Sequence, residues 1–337
     1  MVNLQGLEVP PIKNMAGIIP VVKNRNMLNS PYGIDALTLV GDGGLLAIQK
    51  AIYSAAVAGC ETIWIVGRED SMRFIRDRVG EYIIDPKSLF INNRYAKNKT
   101  NLQRMTEALK NTTKIPIFYI QVPSRVIDIR DSEAWMGIYG AYTSLKNSFL
   151  FSNWLIPTRF FIISPYTIVS DFELKNVRKL MRKRYFKYLF AHNNKTIYDG
   201  LNLPIAIEFS ELKKIMAHSK SIYTNVCLNN KDHEEISKIM MNMSFAEYYK
   251  PFLKDEAEII NLKDYYRIED WQSYCNYISS DLCKETKIHY CVKASGVFEV
   301  YNRSNKRYSL ETLKVLDLTA KKDSGNMSLQ SSDITGE

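Results

Sequence analysis

The chain contains no Gly-x-Gly-x-x-Gly, no Gly-x-x-x-x-Gly-Lys-Ser/Thr and no Gly-x-Ser-x-Gly. The first absence disfavours a nicotinamide-dinucleotide fold, the second a P-loop NTPase and the third an α/β-hydrolase nucleophile elbow. The five cysteines (Cys60, Cys227, Cys275, Cys283, Cys291) form no Cys-x-x-Cys pair, and the four histidines are scattered. A zinc site is therefore not expected, and the odd thiol count suits a reducing cytosol. The longest apolar region, 148–169, is interrupted by Asn153, Pro157, Arg159 and Pro165, so it reads as buried strand rather than as a membrane span. Nothing at the N-terminus has the pattern of a signal peptide. These absences imply a cytoplasmic protein.

What is present is a substantial core. The 337 residues are 46% hydrophobic and 12% aromatic, enough for one large α/β domain with an appendage. The charge, 45 − 36 = +9, favours acidic partners such as nucleotides, phosphosugars or nucleic acid. Seven of the basic residues lie in Lys175 to Lys187, either a solvated helix face or a polyanion contact. From residue 319 the chain has almost no large apolar side chains and reads as a disordered tail, 319–337.

The organising stretch is Ala36 to Asp70. Gly41-Asp42-Gly43-Gly44 turns into a helix from about Leu45, Gly59 is placed to cap its C-terminus, and Thr62 to Val66 reads as a buried strand. Upstream, Met15 to Val22 is an apolar strand entering a polar loop, Lys23 to Gly33. Asp70 is expected to cap a helix over 71–79. Further helices are expected over 101–111 and 132–146, the latter capped by Asp131 or Ser132, and strands over 115–122 and within 159–169. Beyond Phe190 come a strand over 204–209, a short helix over 209–218, a strand entering a helix over 265–279, and a closing hairpin within 288–301. The alternation predicts an α/β fold: a mostly parallel sheet flanked by helices, with a smaller C-terminal α+β portion. The expected divisions are a leader (1–13), the main domain (14–215) and the C-terminal portion (216–318).

Ligands of such sheets sit at the carboxyl ends of the strands. The backbone N–H groups of Gly41, Asp42, Gly43 and Gly44 at a helix N-terminus can meet a phosphate, with Lys23 and Arg25 as countercharge; the alternative is a tight turn. In Asp128 to Gly140, Asp131 can bind a hydroxyl or metal or cap the helix, and Trp135 can stack on a base or lie in the core. Asp171, after the strand near 160–168, can bind Mg²⁺ or cap the basic helix.

The order MAGIIPVV, polar loop, LLAIQKAIYSAAVAGC, ETIWIVGRED resembles the nucleotidyltransferase fold (GT-A-like, Rossmann-type) of sugar-1-phosphate nucleotidylyltransferases. IPIFYIQVP…DIRDSEAWMGIYGAYTS is similar to that family's third strand and following helix, and FFIISPYTIVSD stands where the family carries its metal-bearing strand end. The likeness spans about residues 14–215, and its wording looks closest to divergent phage-encoded members. It implies an enzyme that takes an NTP and a sugar phosphate to a nucleotide sugar and pyrophosphate, with Mg²⁺. By this likeness Lys23, Arg25 and Asp131 serve catalysis, Gly41–Gly44, Trp135 and Gly140 border the nucleotide, and Asp171 holds the metal. Lys23-Asn24-Arg25 stands in place of the family's Gly-x-Gly-x-Arg, and Ser164-Pro165-Tyr166 in place of its Gly-Asp. A sugar-nucleotide-dependent glycosyltransferase is the enzymatic alternative, although the chain has no Asp-x-Asp. A catalytically inactive binding protein of the same fold is the other.

Overall fold

The computed structural model describes residues 14–22, 35–41, 45–87, 113–122, 132–151, 156–180, 188–230, 232–251, 257–284, 290–292 and 298–300. The expected leader, the helix over 101–111 and the tail lie outside them.

Strand β1 (Asn14–Val21) is buried at every position, as an uninterrupted apolar run should be when helices cover both faces of a sheet. It pairs in parallel with β4 (Thr62–Arg68) on one edge and β7 (Pro157–Ile162) on the other, and β4 pairs in parallel with β6 (Lys114–Val122). The remaining sheet strands are β5 (Tyr82–Ile84), β9 (Tyr188–Ala191), β10 (Ile205–Glu208), β11 (Glu258–Asn261), β13 (Tyr290–Val292) and β14 (Phe298–Val300). Together they form one ten-stranded sheet in the order β11-β9-β10-β7-β1-β4-β6-β5-β13-β14. Six strands run with β1, while β5, β10 and β14 run against it. The mostly parallel α/β architecture follows from this pairing, and the closing hairpin expected within 288–301 extends the sheet beyond β5.

Helix α1 (Ala47–Ala58) is apolar and almost wholly buried, and Gly59 ends it at φ 100°, donating to Ala55 and Ala56. Side chains alternate across β1, so its odd and even positions face opposite layers. On the odd side, Gly17 admits Ala55 of α1, and Gly67 admits Met72 of α2 (Glu69–Val79). Helix α4 (Asp171–Leu180) packs beside α1 in the same layer. On the even side lies α3 (Glu133–Phe151), packed with α5 (Phe209–Asn229) and α7 (Phe245–Tyr249). Gly140 of α3 lies against Ile18 and Val66; a Cβ there would come within 2.7 Å of Ile18 Cγ2 and closer still to Val66.

Several local expectations need correcting. Asp70 sits inside α2, whose N-cap position, Arg68, makes no side-chain cap hydrogen bond. Helix α5 is continuous to Asn229, past both its expected end and the boundary drawn at 215. Its outer half is largely exposed, so the apolar pattern there is too thin to announce a helix. The apolar stretch 159–169 is two strands, β7 and β8 (Thr167–Val169), separated by a turn.

Strand β8 leaves the main sheet and pairs with β12 (Tyr265–Arg267). With the hairpin of β2 (Leu39–Gly41) and β3 (Leu45–Leu46) and helices α8 (Trp271–Ile278) and α9 (Asp281–Lys284), it encloses a second, smaller core around Val40, Tyr166, Ile168 and Tyr277. This core sits at the carboxyl end of the sheet. Helix α6 (His233–Asn242) packs on α5.

Because a Cβ at Gly140 would overlap Val66 and Ile18, Gly140→Ala is expected to lower stability by about 1–3 kcal/mol through overpacking. The shift in urea midpoint, at unchanged slope, measures it.

Candidate functional site

The chain lays β1, β4 and β6 outward in one direction, then returns to place β7 on the other edge of β1. In an open α/β sheet such a reversal opens a crevice outside the carboxyl ends of the two strands. Here the opening has a visible cause. The Ile18 carbonyl accepts from Ile163 N, so even positions of β1 present their backbone to β7. The β7 register ends at Ile18↔Ile162, and the next even position is Pro20, which has no N–H to give. The two strands separate at that point.

The floor of the crevice is a β-turn. Thr167 N donates to the Ser164 carbonyl at 3.1 Å, with Pro165 at the second position, where its fixed φ is favoured. Ser164 Oγ accepts from Tyr166 N, and the buried Tyr166 donates its hydroxyl to the Val22 carbonyl at 3.0 Å. The two loops that the sequence singles out, after Val22 and after Ile163, thus leave from the two lips of one crevice. Lys23 and Arg25 follow directly on the first lip, outside the described residues.

The glycine segment takes a different form from that expected. Gly41 ends β2, Leu45 begins β3, and the two strands pair; Asp42, Gly43 and Gly44 lie outside the described residues. Helix α1 starts only at Ala47. Two of the backbone donors before and at its start are already taken: Leu46 N donates to Gln49 Oε1 at 3.0 Å, and Ala47 N to the Thr38 carbonyl at 2.8 Å.

The other predicted residues scatter. Asp131 lies outside the described residues, and Ser132 caps α3 by accepting from Trp135 N at 3.1 Å. Trp135 is 8% exposed, belongs to the main core and stacks on Tyr139 with ring centroids 4.9 Å apart. Gly140, expected beside the nucleotide, spends its missing side chain on the helix–sheet contact. Of the basic run, Lys175 and Lys179 are exposed, whereas Arg178 is held by Asp85 in two 3.0 Å hydrogen bonds.

Asp171 opens α4, and Ser170 Oγ provides the cap. Its Oδ1 accepts from Lys50 Nζ at 3.0 Å; Lys50 is 2% exposed and Asp171 19%. A buried ammonium beside the carboxylate repels a second cation, and among the described residues no group of three His, Cys, Asp or Glu side chains converges on a metal position. Asp171 does not fit the Mg²⁺ expected of it; the pair joins the first turns of two helices. A second ion pair crosses the same edge: Arg267 donates to both Glu133 oxygens at 3.2 and 2.7 Å and to Thr167 Oγ1 at 3.0 Å. Neither pair was legible from sequence, because the partners are 121 and 134 positions apart.

No family model matches the chain, and no curated protein matches it. Solved structures do. A Bacillus anthracis protein assigned as a glucose-1-phosphate thymidylyltransferase, crystallised with sucrose, matches at 10% identity over 81% of this chain and 96% of its own, with a TM-score of 0.48. The 4-diphosphocytidyl-2C-methyl-D-erythritol synthase of Anaerococcus prevotii matches at 11% identity over 79% and 94%, with a TM-score of 0.41. A UDP-glucose pyrophosphorylase bound to UDP-glucose matches at 16% identity over 53% and 57%, with a TM-score of 0.32. The α/β fold rests on the strand pairing above rather than on these scores. Among the described residues no helix is long and apolar enough to cross a membrane.

Asp171→Asn strands the buried Lys50 charge and is expected to cost about 3 kcal/mol, most of it recovered in the Lys50→Met/Asp171→Asn double variant; chemical denaturation of all three chains measures the coupling. Burial raises the pKa of Glu173, against backbone N–H donors at Lys263 and Asp264 that lower it. A carboxyl group with a raised folded pKa contributes stability that is full below the unfolded value of about 4.3 and is lost as pH rises through the folded value. Glu173→Gln is therefore expected to gain on the native chain as pH rises above the unfolded value of about 4.3, read as the difference in denaturation midpoints.

Proposed function

We propose that this chain binds a nucleoside triphosphate in the crevice between β1 and β7 and transfers its nucleotidyl group to a sugar phosphate. The observation that carries the reading is the direction reversal at β1, with the loop after Val22 and the turn after Ile163 on its two lips. The resemblance of residues 14–215 to the sugar-1-phosphate nucleotidylyltransferases supports it from the sequence side.

In this reaction a phosphate oxygen of the sugar phosphate attacks the α-phosphorus of the NTP. The bond between the α-phosphorus and its bridging oxygen breaks, and pyrophosphate leaves with the electron pair. Such chemistry needs positioning and charge neutralisation more than proton transfer. Lys23 and Arg25 supply the countercharge, the Gly41–Gly44 segment offers backbone N–H groups, and Asp131 meets a sugar hydroxyl. Mg²⁺ supplies charge neutralisation in the family this chain resembles; since Lys50 already holds Asp171, no step is assigned to the ion here. A cytoplasmic setting, the host's if the chain is phage-encoded, gives access to all four NTPs.

A second reading is a binding protein of the same architecture that holds a nucleotide without turnover, and the neutralised Asp171 favours it. A thermal-shift panel of the four NTPs and common nucleotide sugars, with and without sugar 1-phosphates, separates the readings by mass action on the native state. Stabilisation by one NTP, together with pyrophosphate release when its sugar phosphate is added, is the expected result. Stabilisation without release selects the binding protein, release of a free nucleoside diphosphate from a nucleotide sugar selects glycosyl transfer, and no shift across the panel overturns all three.

A further inference from the structure

Residues 265–284 form a strap of β12, α8 and α9, and its first strand lies along the floor of the crevice. Arg267 pairs with Thr167, the last residue of the floor turn, and Ile268 N donates to the Tyr166 carbonyl at 2.9 Å. The Arg267 guanidinium lies over the Tyr166 ring, 5.7 Å from its centroid. Tyr166 in turn reaches the Val22 carbonyl, so the positive group stands where the two lips of the crevice are joined. A guanidinium stays charged at every working pH.

Such a group carries five N–H donors. Three are used: both Nη1 donors go to Glu133 Oε1 and Thr167 Oγ1, and one Nη2 donor goes to Glu133 Oε2. Among the described residues two are left, the second Nη2 donor and Nε–H, which is buried and meets no acceptor. These two lie on one edge, the side-on fork that grips a carboxylate or phosphate through parallel bonds. Glu269 Oε1 stands 3.6 Å from Nε, beyond hydrogen-bond reach, on a side chain that is 61% exposed. A buried donor without an acceptor costs the fold stability unless a ligand meets it.

The carboxylates a divalent ion would need are already spent. Ser164-Pro165-Tyr166, standing where the resembled family carries its metal-bearing strand end, contains none. Asp171 is held by Lys50 and Glu133 by Arg267, each pair largely out of water. A divalent ion beside either pair would face a like charge at short range.

We propose that Arg267 is the fixed cation of the crevice: its free fork receives a phosphate group of the NTP, and nucleotide binding there needs no divalent metal. The proposal rests on the reading under Proposed function and deepens it with a residue that holds the triphosphate.

Each of the four NTPs is titrated in EDTA and in Mg²⁺, with binding read by thermal shift and by calorimetry. The wild type is expected to bind one NTP equally under both conditions. Arg267→Met alone strands Glu133, so the informative variant is Arg267→Met/Glu133→Gln, which removes the fork at unchanged net charge. It is expected to weaken NTP binding by about tenfold. Arg178→Met/Asp85→Asn, the same exchange at an ion pair on the opposite edge of the sheet, is expected to leave binding unchanged. Glu269→Gln, which takes a competing carboxylate away from the fork, is expected to tighten it. Binding that appears only with Mg²⁺ overturns this proposal and leaves the proposed function standing. Equal affinity in the two double variants, or no gain in Glu269→Gln, overturns it in the same way. If the wild type binds no NTP under either condition, the proposed function fails and this proposal fails with it.

Discussion

Everything at the candidate site depends on β1 being paired on both edges and covered on both faces. Its neighbours β4 and β7 are reached by the chain in opposite directions, and the two helix layers approach it through Gly17 on one side and Gly140 on the other. Remove the close approach at either glycine and the layers must move apart; remove the reversal and there is no crevice. Pro20 then decides where the crevice begins, because a residue without an N–H cannot continue the ladder toward β7. The fold creates a gap at a defined height on the sheet, and the chain spends Ser164, Tyr166 and the Val22 carbonyl on shaping its floor.

The edge above that gap is held by pairings between distant parts of the chain. Lys50 with Asp171 joins α1 to α4, Arg267 with Glu133 joins the strap to α3, and Tyr277 with Val40 joins it to the hairpin. Each pair is largely removed from water, so breaking one leaves a buried group without its partner, a larger cost than the pair's own net contribution. The C-terminal residues 265–284 thereby act on the main sheet's functional edge.

Much of the central sheet was legible in the sequence because local rules decide it. Continuous apolar runs gave β1, β4 and β7, Gly59 marked the end of α1, and Ser132 capped α3 as one of two expected residues. The site was less legible. Glycines beside an apolar helix read as a helix N-terminus, yet the two residues after them pair back as a strand. Asp171 read as a metal ligand because nothing local reveals a lysine 121 positions upstream. Trp135 and Gly140 lie in a motif-like segment, but one packs in the core and the other fits helix to sheet. Pairings between distant residues carry no local signature, and this site is built mainly from them.

The most direct measurement is photo-crosslinking with an azido-nucleoside triphosphate, followed by mapping of the modified peptides. Adducts confined to residues 22–46 and 163–171, and competed away by the unmodified NTP, are the expected result. Competed adducts on the basic helix 171–180 beyond its first turn, or at the amino ends of β1 and β4, would contradict a nucleotide site at the carboxyl edge between β1 and β7.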